Sequence, residues 1–267
     1  MVRGKFVTAT GNSPLAIVAA VAEEVKPFLR SGRFRLSERR GSMRLYRSRK
    51  DPNVAVLLGG IGKACAEAAA AYAIDELRPA AIVSAGFAGG VKDGLRVGDV
   101  FTSANAWVAD GDQEHWTEGK HAPVSVATLA IAGIRNGDCL TVPQVVKEPA
   151  AKRRAGVIFP VAVAEMEAYW VAKAAAGAGI PCAVLKVVLD PLDAPLPPVV
   201  SRLAAARTIT ARAAALGSIA AAPAQAQALA RLTRQASAAG SRLSEALAEL
   251  SSAGVSAFSA SRASVKL

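Results

Sequence analysis

The chain has 267 residues, enough to bury the core of one large domain, and about half of them are apolar while only 5% are aromatic. No run reaches the roughly 18 apolar residues that a membrane-spanning helix requires. The net charge of +11 is concentrated at the ends, with +9 in residues 1–50 and +6 in residues 201–267, which leaves −4 between them. No nucleic-acid-binding motif accompanies this charge, so we expect no nucleic acid partner. An anionic membrane surface and a solvated basic face remain open.

Strands and helices alternate along the first half of the chain. Short apolar runs predict strands, and alanine-rich stretches with helical spacing predict helices. Charged residues that alternate with apolar ones predict a β-hairpin with one solvent-exposed face. This alternation is typical of a largely parallel sheet wrapped by helices. The predicted elements are strands at 16–20, 53–58, 81–85, 97–103 and 106–109, helices at 23–30 and 64–77, and a hairpin over 33–49.

The second half is predicted to contain a helix at 166–176 and a buried strand at 182–188 that runs on to Asp190. Prolines follow, and beyond them an Ala/Arg-rich segment has apolar residues at steps of three and four from Leu229 to Leu250. We therefore expect a catalytic domain over 1–198 and a helical C-terminal extension over 199–267. The apolar face of that extension would pack on the domain or a second subunit, or lie on a membrane.

Two glycine-rich segments, 59–63 and 86–90, are predicted to be loops directly after strands. Glycines let backbone N–H groups approach a ligand, although a tight turn explains each segment equally well. Neither segment fits the phosphate loop of NTPases or a GxGxxG opening a helix. A nucleoside triphosphate or a dinucleotide is therefore disfavoured.

Four carboxylates are candidates for chemistry. Asp190 ends a buried strand, at the edge where open α/β sheets bind ligands, and Glu24 lies shortly after the first strand. Glu165 and Glu167 open an apolar helix, where acids suit the helix dipole. Each also has an ordinary structural explanation as a helix cap, a turn cap or an exposed helix acid, so no single one identifies a site.

Metal and disulfide chemistry are not expected. The chain has two histidines and no CxxC or HExxH pattern, which argues against zinc. The three cysteines are widely spaced in apolar runs, and residues 1–10 contain no apolar signal-peptide core. We therefore expect free thiols and a cytoplasmic location.

Taken in order, short motifs of the chain resemble the nucleoside phosphorylases and the related methylthioadenosine/S-adenosylhomocysteine nucleosidases. The resemblance covers roughly residues 14–198 and implies a three-layer αβα fold with a mixed, largely parallel central sheet. It also implies a purine nucleoside substrate, a homo-oligomer and no cofactor other than inorganic phosphate if the enzyme is a phosphorylase. The motifs are AAVAEEV (19–25), GIGK (60–63), SAGFAGGV (84–91), GDV (98–100), GD (137–138), AEMEA (164–168) and VVLD (187–190).

The resemblance also assigns roles. Asp190 would be the general acid that protonates N7 of the purine, and Glu24 would hold the attacking water. Glu167 would bind the ribose hydroxyls, and Met166 would pack against the sugar. Leu140 would border the base at a position where relatives often have a stacking phenylalanine. The remaining residues that the resemblance brings to the substrate are Gly62, Phe87, Ala88, Gly89, Thr141 and Glu165.

Three residues depart from the pattern of the family. Leu189 stands where a serine commonly precedes the catalytic aspartate, so a hydrogen bond to the base or to Asp190 is lost. Phe87 replaces a small or hydroxyl residue, and Val83 replaces an arginine that binds phosphate in some phosphorylases. The latter two favour water as the nucleophile, but Arg30 or Arg33 could still supply a phosphate site. Hydrolysis and phosphorolysis both remain open.

A narrower resemblance concerns the hopanoid-associated branch of the family. It rests on Asp190-Pro191-Leu192-Asp193, the following Leu196-Pro197-Pro198 and the Ala/Arg/Leu-rich C-terminus. It implies adenosylhopane as a substrate and peripheral association with an anionic membrane at its inner face. The alternative from another class is a nucleoside-binding protein without activity, which Leu189 and Phe87 favour.

Overall fold

The computed structural model describes residues 13–117, 121–196 and 223–259. The first half contains β1 (Leu15–Ala19), α1 (Ala22–Ser31), β2 (Phe34–Arg40), β3 (Met43–Ser48), β4 (Val54–Leu58), α2 (Lys63–Tyr72) and β5 (Ala81–Gly90). The middle contains β6 (Val100–Thr102), β7 (Asn105–Val108), β8 (Val124–Ser125), β9 (Thr128–Leu129), β10 (Arg135–Asn136) and β11 (Cys139–Thr141). The remaining elements are α3 (Pro149–Ile158), β12 (Val163–Glu165), α4 (Ala168–Gly177), β13 (Cys182–Asp190), α5 (Pro223–Ala253) and β14 (Phe258–Ser259).

One twelve-stranded sheet runs through the molecule in the order β2-β3-β4-β1-β5-β12-β11-β7-β8, with β13 also paired to β5 and to β6, and β6 to β10. The central pairs β4–β1, β1–β5 and β5–β13 are parallel, and the hairpin strands β2 and β3 are antiparallel. The strand β5 therefore lies at the middle of the sheet. Its carboxyl end meets that of β13, at the edge where parallel sheets bind ligands.

Helices cover both faces of this sheet. Alternate residues of β1 point to opposite faces. Ile17 lies in the apolar cluster that contains Val25 of α1 and Leu247 of α5, whereas Val18 lies in the cluster that contains Ala69 of α2. The helices α2 and α4 share the second face. The predicted three-layer αβα fold with a mixed, largely parallel sheet and a C-terminal helix is therefore confirmed.

The C-terminal helix α5 packs on α1 and on the sheet. Leu243, Leu247 and Leu250 have no exposed surface, while Leu229, at the other end of the apolar row, is partly exposed. The buried end of the row thus belongs to the core of the domain. The predicted domain boundary at 198 lies outside the described residues and stays a prediction.

Several element bounds differ from those predicted. Residues 86–90, predicted as a loop, continue β5, because β13 pairs with residues 86–89 and β12 pairs with Gly89 and Gly90. The helix predicted at 64–77 begins at Lys63 and becomes a π-helical turn at Ala73–Leu77. The strand predicted at 97–103 covers only Val100–Thr102, and the helix predicted from 166 begins at Ala168. Helix α3 and strand β12 were not predicted.

Candidate active site

A cleft with a cavity volume of about 190 Å³ opens to solvent where β5, β12 and β13 end. Most of its wall is apolar, formed by side chains such as Ile61, Val91, Val142, Val145, Val146 and Leu196. Its charged groups are Glu24, Lys152, Glu165, Glu167 and Asp190. A cavity walled in this way excludes water around a few polar groups, which is the usual character of a small-molecule site.

Asp190 is 3% exposed, and its carboxylate accepts a hydrogen bond from the ammonium of Lys152, a residue with no exposed surface. Burial raises the pKa of Asp190 to about 6, and the ammonium opposes this rise. Gly89 of β5 faces the same carboxylate, and a Cβ there would lie 3.2 Å from Oδ2. Asp190 is therefore a buried carboxyl that can carry a proton near neutral pH.

Glu24 is held by backbone N–H groups. Its Oε2 accepts from the N–H of Ala20 at 2.9 Å and of Val21 at 3.0 Å, and its Oε1 accepts from the N–H of Phe87 at 3.0 Å. Burial raises the pKa of Glu24, while Lys186 and these donors lower it. A Cβ on Gly86 would lie 2.5 Å from Oε1. The glycines of β5 thus leave space for carboxylates rather than forming a loop around a phosphate.

A second buried ion pair supports the floor of the site. The ammonium of Lys186 lies 2.8 Å from Oε2 of Glu165, and both side chains are almost completely buried. Glu165 also accepts from the hydroxyl of Thr141 and from the N–H groups of Glu167 and Ala168. Burial alone would lower the pKa of Lys186, but the surrounding carboxylates raise it above its ordinary value. Lys186 therefore stays charged.

Glu167 precedes α4 and reaches back to the start of α2. Its Oε1 accepts from the N–H of Gly62 at 2.7 Å. Burial and the neighbouring Glu165 raise its pKa to about 8, against the effect of Lys186. Gly62 has a φ of 89°, a left-handed conformation that favours glycine, and this geometry aims its N–H at the carboxylate.

Most predicted site residues line the cleft: Glu24, Phe87, Ala88, Gly89, Glu165, Met166, Glu167 and Asp190. Gly62 is not in the wall, but its N–H donates to the carboxylate of Glu167. Their individual roles in binding and catalysis stay predictions.

Leu140 and Thr141, predicted to border the substrate, do not line the cleft, and their contact with it stays a prediction. Leu140 has no exposed surface and packs in the core beneath the cleft. Thr141 is buried too, and its hydroxyl donates to Glu165 and accepts from the N–H of Tyr169 at 2.9 Å. Asp138 binds backbone and side-chain N–H groups of residues 104–107. These residues support the site from behind because β11 pairs on both sides with other strands.

The two buried lysines were missed. Lys186 interrupts the apolar run of β13, and a lysine in a buried strand signals a buried partner. Lys152 lies in an unpredicted helix among alanines and arginines, so its sequence context carries no such signal. Lys152 supplies Asp190 with the hydrogen-bond partner that Leu189 cannot provide. Arg30 and Arg33 do not line the cleft.

Within the described ranges, no group of three or more His, Cys, Asp or Glu side chains is placed to hold a metal ion. The cysteines Cys65, Cys139 and Cys182 are free thiols, as predicted. None of the described helices combines the length and apolarity that crossing a membrane requires.

The family model of the phosphorylase superfamily matches residues 14–247. In fold, the chain is similar to the 5′-methylthioadenosine/S-adenosylhomocysteine nucleosidase of Neisseria meningitidis in complex with methylthio-immucillin-A, with a TM-score of 0.65 and 20% identity over 90% of this chain and 99% of that one. It is also similar to the corresponding nucleosidase of Colwellia psychrerythraea in complex with adenine, with a TM-score of 0.57 and 23% identity over 67% of this chain and 83% of that one. Futalosine hydrolase of Helicobacter pylori gives a TM-score of 0.62 and 17% identity over 90% of this chain and 99% of that one.

The αβα fold and the carboxylate-lined cleft at the ends of β5 and β13 define an enzyme that acts on a small molecule. The chain belongs to the phosphorylase superfamily, since its model matches most of the residues, and it is an enzyme of the nucleosidase and nucleoside phosphorylase class. The predicted family resemblance is confirmed.

Proposed function

We propose that this enzyme hydrolyses the N-glycosidic bond of an adenine nucleoside that carries an apolar 5′ substituent. The observation that carries the proposal is the pair of buried carboxylates, Asp190 and Glu24, beside Gly89 and Gly86 of β5 in one apolar cleft. The nucleosidases with this fold that were solved with adenine or methylthio-immucillin-A support the choice of base.

Asp190 is proposed as the general acid. As the bond from C1′ to N9 breaks, its electron pair passes to the base, and the proton of Asp190 moves to N7 so that the base leaves neutral. A pKa of about 6 suits this role, because the carboxyl holds a proton in part of the enzyme near neutral pH. Such acid catalysis contributes about 10²–10⁴-fold to the rate.

Glu24 is proposed to hold the attacking water and to take its proton as oxygen bonds to C1′. Three backbone N–H groups fix the carboxylate, so its orientation does not depend on the substrate. When ionised, Glu167 would stabilise the positive charge that develops on the sugar. Glu167 would also bind the ribose hydroxyls, and Met166 would pack against the ring.

Water, rather than phosphate, is favoured by the charge of the site. Of the described residues, Lys152 and Lys186 are the cations that line the cleft or the small cavity beside it. Each is already paired with a buried carboxylate. A phosphate dianion would therefore have to displace a buried ion pair, which is costly.

The apolar wall supports an apolar group on the 5′ carbon. Val91, Val142, Val145, Val146 and Leu196 offer no hydrogen-bond donor or acceptor from their side chains. A polar 5′ group would lose hydrogen bonds to water on entering such a wall. Adenosylhopane, with a large hydrocarbon on the nucleoside, is our specific candidate. Association with an anionic membrane surface, a cytoplasmic location and a homo-oligomer stay predictions.

The test is base release from adenosine and a panel of 5′-modified adenosines, with and without phosphate. We expect adenine release without phosphate, and a kcat/KM that rises with the apolar surface of the 5′ group. Asp190→Asn should lower kcat/KM by about 10²–10⁴-fold. The matched control is Asp193→Asn, because Asp193 is an exposed carboxylate three residues along that is paired with Arg153.

Each alternative has its own outcome in this assay. Strict dependence on phosphate would make the enzyme a phosphorylase and reject water as the nucleophile. Calorimetric binding of a nucleoside without product after long incubation would favour a non-catalytic binding protein. Near-wild-type turnover of Asp190→Asn would reject Asp190 as the acid.

A further inference from the structure

Lys152 makes three contacts inside the protein. Its ammonium donates to Oδ2 of Asp190, to the carbonyl oxygen of Pro191 at 2.9 Å and to that of Ala194 at 2.9 Å. An ammonium group has three hydrogens, so all of them are used. The lysine thus joins α3 both to the end of β13 and to the turn that follows it.

The packing of α3 makes this contact possible. Ala155 is fully buried, and Gly156 lies against the backbone carbonyl of Val91 so closely that a Cβ would collide with it. The helix therefore lies directly against the chain segment that leaves β5. Lys152 is one turn before Gly156, on the side that faces Asp190.

We infer that Lys152 is a positioning residue that fixes the carboxyl of Asp190 for the reaction, an inference that rests on the proposed role of Asp190 as the acid. Leu189, the neighbour of Asp190 in the strand, has no polar side chain to do this. Among the described residues, the hydrogen bond that the Asp190 carboxyl accepts comes from Lys152, to Oδ2. Oδ1 would then carry the proton to the base.

The same contact sets the protonation of Asp190. Burial favours the neutral carboxyl and the ammonium favours the carboxylate, so removal of the ammonium should raise the pKa of Asp190 above about 6. No other charged group in the described residues contacts it. The remaining charged side chains near it line the cleft or the small cavity beside the cleft, or form an ion pair at the turn that follows β13. They are Glu24, Arg153, Glu165, Glu167, Lys186 and Asp193.

The experiment is a titration of Asp190 followed by NMR of protein labelled with ¹³C at the aspartate carboxyls. The resonance is assigned by its loss in Asp190→Asn. Lys152→Met should move the Asp190 titration upward by about 1–3 pH units, because an adjacent cation lowers the pKa of a carboxyl by that amount. The alkaline limb of kcat/KM should move upward with it. Arg153→Met, a neighbouring cation of α3 that pairs with exposed Asp193, is the matched control and should leave the titration unchanged.

Lys152→Arg tests the position of the Asp190 carboxyl separately from the charge beside it. It also provides a test if Lys152→Met does not fold. Arginine supplies a positive charge where the ammonium stood, so the Asp190 titration should stay close to that of the wild type. Its kcat should fall by about 10-fold to 100-fold with little change in KM, because a larger head displaces the carboxyl. Wild-type kcat in this variant, or an unmoved titration in Lys152→Met, would overturn the inference. Absence of base release by the wild type would instead overturn the proposed function, whatever the titration shows.

Discussion

Removal of the ammonium of Lys186 is the sharpest test of the buried charges. In Lys186→Met the side chain keeps a similar length, but Glu165 loses an ion-pair partner at 2.8 Å in a site where both groups are almost completely buried. Removing one member of a buried pair costs about 3–5 kcal/mol of the free energy of unfolding. Because Glu165 keeps the hydroxyl of Thr141 and backbone N–H donors, we expect the lower end, about 3 kcal/mol.

The loss of unfolding free energy in Lys186→Met should depend on pH. Whether the loss grows or shrinks as pH rises follows from how many protons the folded and unfolded chains bind. Without Lys186, the pKa values of Glu24 and Glu167 rise further above those of the unfolded chain. The folded variant then binds more protons than the unfolded one above about pH 4.3, the ordinary pKa of glutamate, so its stability falls as pH rises. In the wild type the raised pKa of Lys186 gives stability that is fully present below about pH 10.4, the ordinary pKa of lysine, and is lost as pH rises through the folded-state value.

The assay is thermal unfolding followed by circular dichroism at pH 5 and pH 8. For a domain of this size about 3 kcal/mol corresponds to a decrease in Tm of about 6–12 °C. We expect that decrease at pH 8 and a smaller one at pH 5. The control is Lys92→Met, which removes an exposed lysine and should leave Tm unchanged. Equal Tm values for Lys186→Met and the wild type at pH 8, or a larger deficit at pH 5, would refute this reasoning.

Two further predictions concern packing. Gly86→Ala should displace Glu24 and lower kcat/KM by about 10²-fold with an unchanged circular dichroism spectrum, because the new Cβ would lie 2.5 Å from Oε1, whereas Gly177→Ala meets no atom within 4 Å and should retain activity. Leu247→Ala should lower the free energy of unfolding in urea by about 2–5 kcal/mol, because Leu247 is fully buried between α5 and the sheet. Leu229→Ala, at a partly exposed position of α5, should cost less, and equal losses would contradict the packing of α5 on the domain.

The class of fold was predictable from local patterns. The apolar runs that became β1, β4, β5 and β13 are buried in the sheet, and the predicted bounds of β1 and β4 fall within a residue of those observed. Such runs read directly as strands because their side chains face helices on both sides. The positions of Asp190 and Glu24 near strand ends also followed from the sequence, since a parallel sheet gathers those ends at one edge.

The glycines of 86–90 show where local patterns fail. Glycine permits turns, so the sequence predicted a loop, yet these residues pair with β13 on one side and β12 on the other. The need for glycine here is steric: Cβ atoms at Gly86 and Gly89 would crowd the carboxylates of Glu24 and Asp190. A requirement of this kind arises from residues far away in the chain and leaves no local pattern.

Local patterns predicted the order of strands and helices in the first half of the chain, the family and the carboxylates at the strand ends. Which charges meet depends on the tertiary structure. Lys152 and Asp190 are 38 residues apart, and their contact depends on how α3 packs against the segment after β5. Leu140 and Thr141 turned inward for the same reason, because the strands on either side of β11 fix which way its side chains point. Asp190 therefore has a partner that its own strand does not supply, since burying a charge requires a compensating group and folding brings that group from another helix.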